Sequence, residues 1–246
     1  MPDRQKTMLL TGASRGIGHA TAKLFAQRGW RVLTVSRHPF DPACAWPGGA
    51  ANHLQADLSE PDACERLITK VRSRINGEGI DALINNAGIS PKEIDGSRMS
   101  ALKTDYRTWI HVFNVNFFAP VILAQGLLQE LRMARGVIVN VTSIAGFRVH
   151  PFAGTAYACS KAALAALTRE LAHEYGPHGV RVNAIAPGEI HTSILSPATN
   201  IIVEKQIPMG RLGEPAEVAE VVMFMCSSSS VYVNGAEIQI NGGQHV

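Results

Sequence analysis

Leu9-Leu10-Thr11-Gly12-Ala13-Ser14-Arg15-Gly16-Ile17-Gly18 joins a short apolar run to a longer amphipathic one, and its reading decides the fold. The apolar run is too brief for a helix, and residues 17–28 then carry apolar side chains at helical intervals. A strand that enters a helix through glycines lets backbone N–H groups and the helix N-terminus approach a pyrophosphate. The spacing is Gly-x-x-x-Gly-x-Gly, not the commoner Gly-x-Gly-x-x-Gly, and helix starts often use glycine. Placed between strand and helix, the turn is a candidate dinucleotide site.

Outward from this junction the same alternation runs through the chain. Strands are predicted at residues 7–10, 31–35, 53–56, 82–84, 136–141, 181–185 and 237–240. Helices are predicted at 17–28, 61–75, 106–134, 156–175 and 215–226, with Ser59 and Asp62 as a capping box for the second. The pattern is that of an α/β fold whose parallel sheet is covered on both faces, in one domain over residues 1–246. Residues 39–49 hold three prolines and two adjacent glycines and read as a loop.

Composition narrows the function classes. With 246 residues, 46% hydrophobic and 17% charged, the chain can bury a full core. A net charge of +3 without a block of like charges gives no nucleic-acid footprint. No apolar run reaches a membrane span, and the polar start Met1-Pro2-Asp3-Arg4-Gln5-Lys6 is not a signal peptide. Cys44, Cys64, Cys159 and Cys226 form no Cys-x-x-Cys and read as buried, reduced thiols, so a cytoplasmic protein is expected. The histidines form no His-Glu-x-x-His, and no metal is expected.

Polar residues recur where parallel strands end, the edge at which ligands of open α/β sheets bind. The second strand ends Val35-Ser36-Arg37-His38, without the acid that would hold the ribose 2′-hydroxyl of NAD. Arg37 and Arg15 could clasp a 2′-phosphate instead, or be ordinary surface arginines. Asp57 ends the third strand, Asn85-Asn86-Ala87-Gly88 the fourth and Asn140-Val141-Thr142-Ser143 the fifth. Each is also compatible with a plain turn. Asn116, in the apolar run Phe113-Asn114-Val115-Asn116-Phe117-Phe118, is either a satisfied core amide or a residue that orders backbone and water.

In Thr155-Ala156-Tyr157-Ala158-Cys159-Ser160-Lys161, Tyr157 and Lys161 share one helix face. A tyrosine with a free pKa of about 10 is a poor acid or base near neutrality. An ammonium about 4–5 Å away, at an effective dielectric near 20, would favour the phenolate by roughly 3–4 kcal/mol. The pair is thus expected to lower the tyrosine's pKa by about 2–3.

In this order, the motifs resemble the short-chain dehydrogenase/reductase family, in its compact form that includes 3-oxoacyl-carrier-protein reductases. The resemblance rests on residues 11–18, Asn85 to Gly88, Asn116, Ser143, Tyr157 with Lys161, Pro187-Gly188-x-x-x-Thr192 and the closing Asn241-Gly242-Gly243, and it covers essentially the whole chain. It implies a Rossmann-type, doubly wound, seven-stranded parallel sheet, and hydride transfer between a nicotinamide cofactor and a small carbonyl or alcohol substrate. By resemblance Tyr157 is the general acid/base, with Lys161, Ser143 and Asn116 completing the catalytic set. Cofactor contacts implied are Gly12, Ser14, Arg15, Gly16, Ile17 and Gly18; Ser36 and Arg37; Asp57 and Leu58; and Asn85, Asn86, Ala87 and Gly88. Tyr157 and Lys161 again, with Pro187, Gly188, Ile190 and Thr192, complete the cofactor set. NADP is preferred on the two arginines, with NAD the alternative. A homotetramer is implied, formed through the fourth and fifth helices, with Phe113, Phe117, Phe118, Leu164, Leu167 and Leu171 as its apolar surface.

The chain departs from the family pattern in three places. The interval from Ser143 to Tyr157 is one residue longer than the family's common spacing, which places a bulge between Ile144 and Ala156. The connection from Ser36 to His53 is short for its usual helix. Residues 89–105 form a long, charged stretch that is expected to shape access to the substrate. Residues 193–209 stand where such enzymes carry a lid. Competing readings are an NAD-dependent sugar or polyol dehydrogenase, and a non-catalytic dinucleotide sensor on the same fold.

Overall fold

Alternate residues of the first strand, Met8 and Leu10 against Leu9, enter two different cores, as the two-residue period of a strand requires. A computed structural model describes residues 4–42, 46–192 and 199–246. Its strands are β1 (Thr7–Thr11), β2 (Arg31–Ser36), β3 (His53–Gln55), β4 (Ala82–Asn85), β5 (Val137–Val141), β6 (Arg181–Pro187) and β7 (Glu237–Ile240). All pair in parallel in the order β3-β2-β1-β4-β5-β6-β7. The order reverses between β1 and β4, and a crevice opens there at the carboxyl ends of the strands.

The described α-helices are α1 (Gly16–Gln27), α2 (Pro61–Ile75), α3 (Tyr106–Phe113), α4 (Ala119–Gly126), α5 (Leu128–Ala134), α6 (Thr155–Tyr175), α7 (Thr199–Gln206) and α8 (Pro215–Met225). Phe25 of α1 and Val218 and Val222 of α8 pack with Met8, Leu10 and Ile84 on one face of the sheet. Leu67 and Val71 of α2, Leu123 of α4 and Leu171 of α6 pack with Leu9, Leu83 and Ile138 on the other. The doubly wound seven-stranded architecture is the one expected.

Several local expectations are corrected. The single helix expected over 106–134 is broken by a π turn at Asn114–Phe118 and again at Leu127, where the axis bends by 61°. No single described helix is long and apolar enough to cross a membrane. The capping box at Ser59 and Asp62 does not form: Glu60 is the N-cap of α2, and the Ser59 hydroxyl donates to Asp57 instead. A reciprocal box joins Glu214 and Glu217 at α8. Leu164 and Leu171 are buried in the molecule, whereas Tyr106, Ile110 and Phe118 are exposed. Cys64 and Cys226 are buried as expected, but Cys159 is exposed, and Cys44 lies outside the described residues. The short Ser36-to-His53 connection forms no α-helix among its described residues; Phe40 and Trp46 pack edge to face in it, and Phe40 also meets His53.

Candidate active site

Gly12 and Gly16 have φ of +71° and +57°, a region that residues with a Cβ rarely adopt. A Cβ on Gly12 would lie 2.8 Å from the Ala87 Cα, and one on Gly18 would lie 2.2 Å from the Gly12 carbonyl oxygen. The glycines therefore let the loop fold against itself and against the end of β4. Asn86 locks that contact, its Nδ2 donating to the carbonyls of Thr11 and Gly12 at 2.9 Å each. No side chain caps α1 and no acid stands in its first turn, so its leading N–H groups are free to meet an anion.

From this loop a cavity of about 530 Å³ runs along the sheet edge to Tyr157. The loop residues Gly12, Ser14, Arg15, Gly16, Ile17 and Gly18 line it, as do Ser36, Arg37, Asp57 and Leu58. So do Asn86, Ala87, Gly88, Pro187, Gly188, Ile190 and Thr192. Asn85 does not. It faces away at the end of β4, buried, and its Nδ2 donates to Asn140 Oδ1 at 2.8 Å. Asn140 passes the chain on to Thr168 of α6, so Asn85 fastens strand to strand to helix. The reason is register: side chains alternate along β4, and Asn86 and Asn85 cannot both face the crevice.

At the second-strand end, the Ser36 hydroxyl donates to the His38 carbonyl at 2.8 Å. Arg15 and Arg37 are exposed. Burial pushes the Asp57 carboxyl up, but the Ser59 backbone N–H and hydroxyl, with Arg37 nearby, outweigh it and hold the group below its ordinary value.

Ser143, Tyr157 and Lys161 line the far end of the same cavity. Ser143 accepts from the Ala145 N–H at 3.1 Å, which leaves its own proton to donate. Lys161 is buried, its Nζ 5.8 Å from the Tyr157 ring centre and donating to the Val141 carbonyl at 2.6 Å. Burial holds this lysine down at about 8. The expectation that Lys161 lowers the tyrosine's pKa is corrected. Burial raises the Tyr157 phenol, the Ser143 hydroxyl acts in the opposite sense, and the Glu189 carboxylate raises it further. Desolvation disfavours both charged forms here and exceeds the attraction expected between them.

Asn116 does not reach the cavity. The π turn sets it in the interior, where its Oδ1 accepts from the Ile89 N–H at 2.9 Å. Its Nδ2 meets the Ile89 carbonyl and Ser160 Oγ, both at 3.0 Å. It thus fixes the Ile89 backbone beside α6, whereas Asn114 donates to the Ser59 carbonyl.

The long Ser143-to-Tyr157 interval forms a 3₁₀ turn at Ile144–Gly146 and a loop bringing His150 and Phe152 to the cavity. Lys92 lines it from the long segment after β4, and Glu189 from the turn after β6. Sequence reasoning missed these groups. Glu189 sat in a motif read for Pro187, Gly188, Ile190 and Thr192, and nothing in the spacing of Lys92 or His150 marks them. Of the lid expected at 193–209, residues 193–198 lie outside the described residues, and α7 follows them.

Residues 12–245 match the sequence family described as enoyl-(acyl carrier protein) reductase. The chain is 60% identical over 242 residues to Protein FixR of Bradyrhizobium diazoefficiens, covering 98% of this chain and 87% of that one. A Brucella ovis oxidoreductase of the short chain dehydrogenase/reductase family, solved with a partially ordered NAD, is 52% identical with a TM-score of 0.83, covering 97% and 100% of the two chains. A 3-oxoacyl-[acyl-carrier protein] reductase from Brucella melitensis, with bound NAD, is 34% identical with a TM-score of 0.87, covering 99% and 92%.

Proposed function

This chain belongs to the short-chain dehydrogenase/reductase family, and from that premise we propose a catalytic cycle in which Tyr157 Oη exchanges a proton with the substrate oxygen while Ser143 holds that oxygen. The protein is an oxidoreductase of a nicotinamide dinucleotide, acting on a small carbonyl or alcohol. The observation that carries the reading is one continuous cavity joining the glycine loop to Ser143, Tyr157 and Lys161.

The residues fit such a cofactor. The uncapped start of α1 and the N–H groups of the glycine loop suit a pyrophosphate, and Thr192 lies against Gly16 at the loop's other side. Asp57 and Leu58 would hold the adenine end, and Tyr157, Lys161, Pro187, Gly188 and Ile190 the nicotinamide end. The nicotinamide, when bound, supplies or accepts the hydride.

In the reducing direction, Ser143 Oγ–H donates to the carbonyl oxygen and stabilises the charge that develops there. Tyr157 Oη then gives up its proton to that oxygen. A phenol raised by burial remains protonated at neutral pH, which suits an acid. Lys161, held at about 8, titrates close to neutrality and can replenish the phenol's proton. Asn116 keeps the Ile89 backbone and Ser160 of α6 in register around this set.

We assign NADP as the preferred cofactor, on the exposed Arg15 and Arg37 beside a strand end without an acid. NAD is the competing reading, favoured by the engaged Ser36 hydroxyl and by the NAD in the two Brucella structures. We further assign a homotetramer, its contact faces drawing on Tyr106, Ile110 and Phe118. A monomer in sedimentation at micromolar concentration would contradict that assignment. The activity itself is tested with ketones, sugars and 3-oxoacyl thioesters, each assayed with NADPH and NADH. Reduction of none of them would overturn the reading.

A further inference from the structure

The substrate end of the cavity holds opposite charges that the proton chemistry does not use. Phe152 ties them into one cluster. Its N–H donates to His150 Nδ1 at 3.2 Å, and its carbonyl accepts from Lys92 Nζ. With Nδ1 accepting, the proton of a neutral imidazole is on Nε2, which faces Glu189 Oε1 at 2.5 Å. The imidazole therefore donates to Glu189 Oε1. That residue is 8% exposed and is held on both sides. The Gly188 N–H donates to Ile240 at 3.0 Å, and the Glu189 carbonyl accepts from Gly213 at 2.9 Å. Among the described residues Lys92 enters no ion pair, its bond going to the Phe152 carbonyl.

Resting on the dehydrogenase reading above, we propose that this end of the cavity recognises a hydroxy amino acid or its oxo form, with Glu189 receiving the ammonium group and Lys92 the carboxylate. Glu189, Lys92 and Tyr157 line the same cavity, so a ligand bound to the two charged groups shares it with the reacting oxygen. A buried carboxylate and a half-buried ammonium that face the same cavity favour a ligand with the complementary pair of charges. An apolar acyl chain would instead cover both groups and offer neither a charge of opposite sign. The same charges thus select for one class and against the other.

The test uses the protein loaded with reduced cofactor, with which a hydroxy compound forms a complex that cannot turn over. Calorimetry measures binding of threonine and 4-hydroxynorvaline, each against its deaminated and its decarboxylated analogue, and of a 3-hydroxybutyryl thioester. At least one amino acid is expected to bind with a Kd below about 10 mM, and at least tenfold more tightly than either of its analogues. Glu189→Gln, which keeps the shape and the bond to His150 Nε2–H, should lower the preference for the amino acid over its deaminated analogue at least tenfold. Lys92→Met should do so against the decarboxylated analogue.

No binding of either amino acid, a ranking indifferent to the charges, a thioester that binds most tightly, or preferences unchanged in both variants would each overturn the assignment. Ketone reduction that depends on Tyr157 alongside a flat ranking would leave the dehydrogenase reading standing and this one refuted. A protein that reduces no ketone yet ranks the ligands as expected would fail the dehydrogenase reading and retain the recognition site.

Discussion

Lys161 Nζ donates to the carbonyl of Val141 at 2.6 Å, which ties a buried ammonium to the last residue of β5, two positions before Ser143. The bond holds the charge at the site against the pull of solvent. A lysine at about 8 in place of its ordinary 10.5 carries about 3 kcal/mol of unfavourable burial at neutral pH.

Lys161→Met should therefore inactivate the protein and stabilise it. At pH 7 the gain is about 1–3 kcal/mol, since loss of the bond to Val141 removes about 1 kcal/mol of the relief. The size of the gain depends on pH. Between about 8 and 10.5 the unfolded chain still binds the lysine's proton and the folded chain does not, so the parent gains stability as pH rises. The variant's advantage should shrink accordingly. Urea unfolding at pH 7 and pH 10 measures both values, and a variant less stable at both would contradict the account.

Ser143→Ala should lower kcat by about 10²–10³, the usual effect of losing one donor to a developing oxyanion. It should also leave Tyr157 higher, because the Ser143 hydroxyl is the group that lowers it. Alcohol oxidation needs the phenolate, so its rising limb should move to higher pH in the variant. Full pH profiles of oxidation, in parent and variant, check the two effects together. An unchanged limb would separate the serine from the tyrosine.

Cofactor choice turns on charge. A 2′-phosphate contact from the exposed Arg15 or Arg37 would be worth about 1.5–3 kcal/mol. Loss of one should weaken NADP binding roughly 10- to 100-fold and barely affect NAD. Ser36→Asp with Arg37→Ile should reverse the preference, by adding an acceptor for the ribose hydroxyl and repelling the phosphate. kcat/KM with each cofactor decides it, and a parent that already prefers NAD would refute the argument from the arginines.

The alternation of strands and helices was legible because β1, β2, β4, β5 and β6 are runs buried on both faces, where apolar length alone identifies a strand. The π turn at Asn114–Phe118 was not legible. Its residues have helical propensity, and only packing of Asn116 against Ile89 and Ser160 decides the extra residue in the turn. Cleft residues at strand ends, such as Ser143 and Asn86, could be found from position. Asn85 could not be told from Asn86 without the register of β4 against β5. Lys92, His150 and Glu189 come from three loops far apart in sequence, and no spacing rule joins them. The sense of the Tyr157 shift also needed the structure, since burial of Tyr157 and Lys161 outweighs their attraction and no sequence pattern reports that burial.

The central claim is that Tyr157 Oη carries the transferred proton, and Tyr157→Phe tests it most directly. The substitution removes one hydroxyl and keeps the ring near Lys161. With a ketone that the parent reduces, single-turnover rates in the variant are predicted to fall at least about 10³-fold. Cofactor affinity, followed by fluorescence titration in the same preparation, should stay within a few-fold. Reduction within a few-fold of the parent, with the cofactor bound equally well, would contradict the assignment of Tyr157 as the acid.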